Sequence, residues 1–188
     1  HPTGRWGRLH KRYLKEHHPI RYNQLLLSGE LGSYLAKLDK QAEEQLALII
    51  RQMQDGFPVW FGCDVGKCSS REDGVMDLNM YNLKDMFDTE FAMTKAERLD
   101  YGQSKMSHAM VFQGVNLDEN GKPNRWRVEN SWGEERGKDG FFVMSDAWFD
   151  EYMYQVVVKK CYLTEEERNE YEADPVVLEP WDPMGALA

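Results

Sequence analysis

The sequence predicts an α+β fold, because one long helical pattern precedes several patterns that are typical of β-strands. Apolar residues recur at steps of three and four over about twenty residues, which defines one face of a helix. These residues are Leu35, Leu38, Ala42, Leu46, Ile49 and Met53. Gly56 and Pro58 end the helix. Residues 107–115 and 125–132 alternate with period two instead, and residues 118–121 have the composition of a tight turn, which predicts a β-hairpin.

Shorter elements are predicted between the long helix and the hairpin. Residues 58–63 form an apolar run that predicts a buried strand. Residues 67–77 are polar and rich in turn residues, so we interpret them as a loop. Residues 95–102 have the pattern of a second, shorter helix.

After the hairpin, residues 140–144 and 154–159 predict two further strands, with a short helix at residues 147–152 between them. Thr164 and Glu167 have the spacing of a capping box, which predicts the start of another helix. The second part of the chain is therefore expected to be mainly β, with flanking helices.

The two ends of the chain differ from its middle, so we divide it into residues 1–30, 31–174 and 175–188. Three prolines in the last part disfavour regular helix and predict an extended C-terminal arm. They are Pro175, Pro180 and Pro183.

The first part is basic, although the formal net charge of the whole chain is −9. Residues 1–23 contain six Lys or Arg and one acidic residue, together with four of the five histidines. We interpret this part as a basic tail or a helix docked on an absent partner. A metal-binding histidine cluster is the alternative, but no thiol or carboxylate lies at ligand spacing.

The composition limits the classes of partner. A length of 188 residues is typical of one domain or a piece of a larger one. The negative charge argues against duplex DNA or an anionic membrane surface, since both attract basic proteins, so a peptide or small molecule fits better. An odd number of cysteines and the lack of a long apolar run indicate a soluble cytoplasmic protein. A start at His1 without Met suggests a fragment or a processed product.

His108 and Asn130 are the candidate catalytic residues, because each lies on a face of a predicted strand that is otherwise apolar. A buried imidazole or amide without a partner costs roughly 1–3 kcal/mol, so we expect these two side chains to hydrogen-bond each other. An amide oxygen that accepts from one ring N–H leaves the other ring nitrogen facing a nucleophile. Trp132 is expected to keep water from this bond. A structural core histidine is the alternative interpretation.

None of the three cysteines has the surroundings of a nucleophile, so we interpret all three as structural or incidental. Cys63 ends a predicted strand with no helix N-terminus after it, Cys68 lies in a polar loop, and Cys161 follows a strand. One alternative is that Cys63 itself, with a lowered pKa, reacts beside His108. A zinc site of Cys63, Cys68 and His108 would lack a fourth ligand, and no metal or cofactor is predicted.

Several segments of the sequence resemble the family of bleomycin hydrolase and bacterial aminopeptidase C, which are papain-like cysteine peptidases. They are DGFPVWFGCDVGK at residues 55–67, KAER at 95–98, SHAM at 107–110, WRVENSWG at 126–133 and WDPMGALA at 181–188. The resemblance is to the C-terminal portion of these peptidases. It runs almost unbroken from about residue 54 to the end, whereas residues 1 to about 50 fit poorly.

This resemblance implies a papain-like fold in which the chain supplies mainly the β-rich half. It implies that His108 is the general base and acid and that Asn130 orients it. The terminal carboxylate of Ala188 would bind the free α-amino group of a peptide substrate, which would make the enzyme an aminopeptidase. The resemblance also implies a homohexamer.

The catalytic cysteine of the family, and the glutamine that helps to build its oxyanion hole, are expected on an N-terminal half that this chain lacks. The chain alone is therefore predicted to be inactive and to need that half as its partner. Some relatives bind nucleic acid, but the acidic composition argues against that property here. The alternative function is a non-catalytic module that binds peptides or another subunit.

Overall fold

The structure, a computed structural model, describes residues 3–89 and 92–179. The chain divides between Ile49 and Ile50 into two compact units. The predicted arm therefore falls largely outside the described residues, and its described part, residues 175–179, is neither helix nor strand. Within the described ranges, none of the helices combines the length and apolar character needed to cross a membrane.

The N-terminal unit is helical, so the basic stretch at its start is not a tail. Its helices are α1 (Arg5–His17), α2 (Pro19–Leu27) and the first part of α3 (Leu31–Gln54). Pro19 is the first residue of α2, where its missing N–H costs nothing. The core of this unit consists of Leu14, Leu25, Leu31 and Leu35, with Tyr22 and Tyr34 packed against it.

Polar contacts also hold the N-terminal unit together. Asp39 is only 6% exposed, and its carboxylate accepts hydrogen bonds from the N–H groups of Gly4 (2.6 Å) and Gly7 (2.8 Å) at the start of α1. These N–H groups have no partner within the helix. His10 Nε2 lies 3.0 Å from the hydroxyl of Tyr34. No group of three or more His, Cys, Asp or Glu among residues 3–89 and 92–179 could hold a metal ion.

The C-terminal unit is built on a curled sheet of seven strands, in the order β2-β3-β6-β5-β4-β1-β7. The strands are β1 (Val59–Cys63), β2 (Ser69–Ser70), β3 (Val75–Met76), β4 (His108–Leu117), β5 (Pro123–Glu129), β6 (Phe141–Ser145) and β7 (Met153–Val157). Neighbouring strands are antiparallel except for β3 and β6, which are parallel. The helices of this unit are α4 (Leu83–Phe87), α5 (Lys95–Asp100), α6 (Asp146–Tyr152) and α7 (Glu165–Glu172), with a 3₁₀ turn at Lys160–Tyr162.

An aromatic stack fills one face of this sheet. Phe61 on β1 stacks on Phe112 on β4 with ring centroids 3.9 Å apart, and Phe112 lies 4.9 Å from Trp126 on β5. Trp126 in turn stacks on Phe149 of α6 at 4.7 Å. Because successive residues of a strand point to opposite faces, the rings belong to the buried positions of the alternating pattern. The stack joins β1, β4 and β5 to α6.

The long helix, the hairpin and the helix that starts after Thr164 are confirmed, although several predicted boundaries are wrong. The loop at residues 67–77 contains the two short strands β2 and β3. β5 ends at Glu129, so residues 130–132 follow the strand instead of continuing it. The helix α4 was not predicted. Its five residues are too few to show a helical period.

Trp126 is expected to be a major source of stability in the C-terminal unit. Its side chain is 1% exposed, and its Nε1–H donates to Asp146 Oδ1 at 3.1 Å. Trp126→Ala should lower the free energy of unfolding by about 3–5 kcal/mol, because it leaves a large cavity. Trp126→Phe should cost less, since a ring remains. Urea denaturation followed by circular dichroism measures both changes.

Trp60→Ala is the control for this prediction, because Trp60 is on β1 of the same sheet but is 56% exposed. It should change the free energy of unfolding by less than about 1 kcal/mol. Equal losses for Trp126→Ala and Trp60→Ala would contradict the role of the aromatic stack.

Candidate active site

The antiparallel pairing of β4 and β5 brings His108 and Asn130 together. His108 is the first residue of β4, and Asn130 directly follows the last residue of β5. The register pairs Val111 with Glu129, so both side chains lie at the same end of the strand pair. His108 Nε2 is 2.8 Å from Asn130 Oδ1, and both residues are half-buried. The hydrogen bond expected from the sequence is therefore present.

The direction of this bond follows from a second contact. The backbone N–H of Ser131 donates to the same Oδ1 at 2.8 Å, and a donor there requires the carbonyl oxygen, not the amide nitrogen, at that position. Nε2 of His108 must then be the protonated nitrogen. Within the described residues nothing hydrogen-bonds to its Nδ1, so the lone pair of neutral Nδ1 is available as a base.

Trp132 lies over the imidazole, as its proposed shielding role requires. Its ring centroid is 4.9 Å from that of His108 with an interplanar angle of 30°, and it meets Phe142 edge-on at 5.8 Å. The guanidinium carbon of Arg71 lies 4.5 Å from the centre of the Trp132 ring, which is the geometry of a cation–π contact. Arg71 lies between β2 and β3, and no sequence signal connects it with Trp132.

Cys63 is next to His108 in the sheet but has the wrong surroundings for a nucleophile. The two residues are Cα partners in the pairing of β1 with β4. Cys63 has no exposed surface, and this burial, followed by the nearby charge of Asp64, raises the pKa of its thiol to about 12. The alternative in which Cys63 reacts with a lowered pKa is therefore wrong, since both causes disfavour the thiolate.

Within the described residues, neither of the other two cysteines is hydrogen-bonded to His108 or Asn130. The sulfur of Cys68 is 3.9 Å from the hydroxyl of Tyr152, and Cys161 is exposed in the 3₁₀ turn. Ala188, which the resemblance assigned to substrate binding, lies outside the described residues.

An open groove of about 670 Å³ lies on the sheet, but none of His108, Asn130 and Trp132 lines it. Its walls come from β4, β5, β6 and the loop before β6, and they include Arg125, Arg127 and Phe141. The candidate site is therefore the His108–Asn130 pair at the strand ends and not this groove.

Comparison with known proteins connects the chain with a family. Residues 13–185 match the Peptidase C1-like family. Aminopeptidase C of Lactococcus lactis subsp. cremoris is 53% identical over 157 residues, which cover 84% of this chain and 36% of that protein. Bleomycin hydrolase of Homo sapiens is 42% identical over 176 residues, which cover 89% of this chain and 39% of that protein. The chain thus spans well under half the length of these curated relatives.

A solved structure gives the same result. The crystal structure of PepW from Lactobacillus rhamnosis HN001 matches with a TM-score of 0.71 and 56% sequence identity over 78% of this chain and 33% of that one. The papain-like α+β fold and the resemblance to aminopeptidase C and bleomycin hydrolase are confirmed by these matches. The chain belongs to the Peptidase C1-like family of cysteine peptidases.

Proposed function

We propose that this chain supplies His108 and Asn130 to the active site of a cysteine aminopeptidase that removes N-terminal residues from peptides. The observation that carries the proposal is the 2.8 Å bond from His108 Nε2 to Asn130 Oδ1, because its direction leaves Nδ1 as a base. Membership of a cysteine peptidase family supports it, as do relatives named aminopeptidase C.

The first half of the reaction would form an acyl-enzyme. The thiol of a cysteine outside this sequence gives its proton to His108 Nδ1, and the thiolate sulfur attacks the carbonyl carbon of the first peptide bond. The imidazolium then returns the proton to the leaving amine nitrogen as the C–N bond breaks. Asn130 keeps the ring oriented throughout, since its Oδ1 accepts from Nε2–H in both protonation states of the imidazole.

The second half would release the product. His108 Nδ1 takes a proton from water while the water oxygen attacks the thioester carbon. The C–S bond breaks, the N-terminal residue leaves as a free acid, and the proton returns to the sulfur. Trp132 covers the ring and limits competition by water for the bond between His108 and Asn130.

The nucleophile is proposed to come from another segment, because the cysteines of this chain are unsuitable. Cys63 is buried with a thiol pKa of about 12, and no hydrogen bond joins Cys68 or Cys161 to His108 in the described part of the chain. The chain alone is then inactive, and it requires the N-terminal half that the resemblance implies. The resemblance likewise supports a homohexamer in the cytoplasm, with peptides as substrates.

The C-terminal carboxylate of Ala188 is proposed to select substrates with a free amino terminus. An ammonium group binds a carboxylate placed at a fixed distance from the nucleophile, so only the first peptide bond would lie at the sulfur. The resemblance of residues 181–188 to the family supports this assignment.

Removal of the imidazole should strongly reduce the activity of the longest natural polypeptide that contains this sequence. His108→Ala should lower kcat/KM by about 10²–10⁴-fold, which is the usual contribution of a general acid and base. Asn130→Ala should cost about 10²-fold, because the ring loses its orientation. The assay follows hydrolysis of a fluorogenic amino-acid amide.

His10→Ala is the matched control for these variants, because His10 also hydrogen-bonds one partner but lies in the N-terminal unit. It should retain the activity of the wild type. A wild-type polypeptide that lacks thiol-dependent activity would contradict the proposal and favour a non-catalytic module.

Thiol labelling should distinguish Cys161 from Cys63. At pH 8, iodoacetamide should modify Cys161 completely before Cys63 reacts, because Cys63 is buried and its thiol pKa is about 12. Peptide mass spectrometry gives the rate at each site. In urea Cys63 should react as readily as Cys161. Rapid labelling of Cys63 in the folded protein would restore it as a candidate nucleophile.

Deletion of Ala188 should weaken recognition of the amino terminus. The terminal carboxylate would be displaced by one residue, or about 3.5 Å. We expect kcat/KM for an amino-acid amide to fall about 10–100-fold, which corresponds to one lost charged hydrogen bond. Cleavage of the same substrate with an acetylated amino group is the control and should not fall. Equal losses on both substrates would contradict the assignment.

A further inference from the structure

A buried carboxylate is hydrogen-bonded to the segment that immediately precedes β4. Asp64 follows β1 and is 6% exposed. It accepts hydrogen bonds from Ser104 Oγ at 2.8 Å, from Ser107 Oγ at 3.3 Å and from the N–H of Lys105 at 3.4 Å. All three donors belong to the four residues immediately before His108.

Backbone contacts hold the same segment. The N–H of Ser107 donates to the carbonyl of Cys63 at 2.9 Å, and the N–H of Asp64 donates to the carbonyl of Tyr152 at 3.0 Å. Ser107 is therefore held to residues 63 and 64 by both its backbone and its side chain. Ser104 has a further partner, because its hydroxyl lies 2.6 Å from the hydroxyl of Tyr154.

No ion pair explains the burial of Asp64. In the described ranges no side-chain nitrogen of Lys, Arg or His lies within 4 Å of its carboxylate, and its hydrogen-bond donors are two hydroxyls and one backbone amide. A buried carboxylate with neutral donors alone is costly, so stability by itself is a poor reason for this residue. What the contacts do achieve is to fix the path of residues 104–107.

We infer that Asp64 is a positioning residue, which places His108 so that its Nε2 reaches Asn130. The placement concerns this chain alone and does not depend on the proposed peptidase activity. The expected effect on catalysis does rest on that activity. Its physical reason is that a displacement of about 1 Å of a catalytic group is enough to cost about 10²-fold in rate.

The test of placement is a proton-exchange measurement by NMR on the longest natural polypeptide containing this sequence, labelled with ¹⁵N-histidine. The Nε2–H of His108 exchanges slowly with water while it is hydrogen-bonded, and the spectrum of His108→Gln identifies its signal. Asp64→Asn keeps the shape of the side chain but places an N–H₂ group against the donors. It should raise the exchange rate of the Nε2 proton about tenfold.

Asp39→Asn is the matched control, because Asp39 is also 6% exposed and accepts hydrogen bonds from two neutral N–H groups, but in the N-terminal unit. It should leave the exchange rate of the His108 proton unchanged. If Asp64→Asn does not fold, Ser107→Ala removes one donor and should raise the rate severalfold. An exchange rate equal to that of the wild type in the folded variants would overturn the inference.

Kinetics on the same polypeptide test the catalytic consequence. Asp64→Asn should lower kcat about 10–100-fold with little change in KM, since the variant alters the base and not the substrate contacts. If the wild-type polypeptide proves to be inactive but Asp64→Asn still speeds exchange of the His108 proton, the placement is supported while the proposed function fails. A kcat equal to that of the wild type despite a tenfold faster exchange would overturn the catalytic part of the inference.

Discussion

The register between β4 and β5 is the constraint on which the candidate site depends. The bond of 2.8 Å between His108 and Asn130 forms across this strand pair, in which Phe112 faces Val128. A slip of one residue would turn Phe112 from the core towards solvent, so burial of the aromatic stack fixes the register. The energy that determines the site geometry is therefore largely hydrophobic, although the site itself is polar.

The same sheet explains why the neighbouring thiol is poorly suited to be the partner of the imidazole. Cys63 and His108 are Cα partners, but Cys63 continues the buried face formed by Val59 and Phe61. A low-dielectric interior favours the neutral thiol, whereas catalysis requires a thiolate opposite an imidazolium. Nδ1 of His108 is instead free of partners within the described residues. The proposed function therefore takes its nucleophile from another segment and not from this adjacent strand.

Periodic patterns predicted most of the fold but not its boundaries. Alternation identified β4 and β5 and placed His108 and Asn130 on adjacent strands. It could not show that β5 ends at Glu129. The strand ends there because the side-chain oxygen of Asn130 accepts a hydrogen bond from the N–H of Ser131 and the chain turns, which alternation does not reveal. The contacts of Arg71 and Asp64 were not predicted either. They join residues that are far apart in sequence, and neither leaves a local pattern.

The chain contains two buried carboxylates, Asp39 and Asp64, whose surroundings suit different roles: one stabilises a helix, and the other fixes the path of a segment. Asp39 accepts from N–H groups at the start of α1, where the helix dipole favours a negative charge and offsets the cost of burial. The donors to Asp64 are not the N–H groups of a helix end, and its hydroxyl donors bind a charge less strongly than a cation would. The aromatic core can select the register to the nearest residue, but it leaves freedom within that register. Polar contacts directed at the segment before His108 restrict this remaining freedom, and catalysis is most sensitive to displacements of that size.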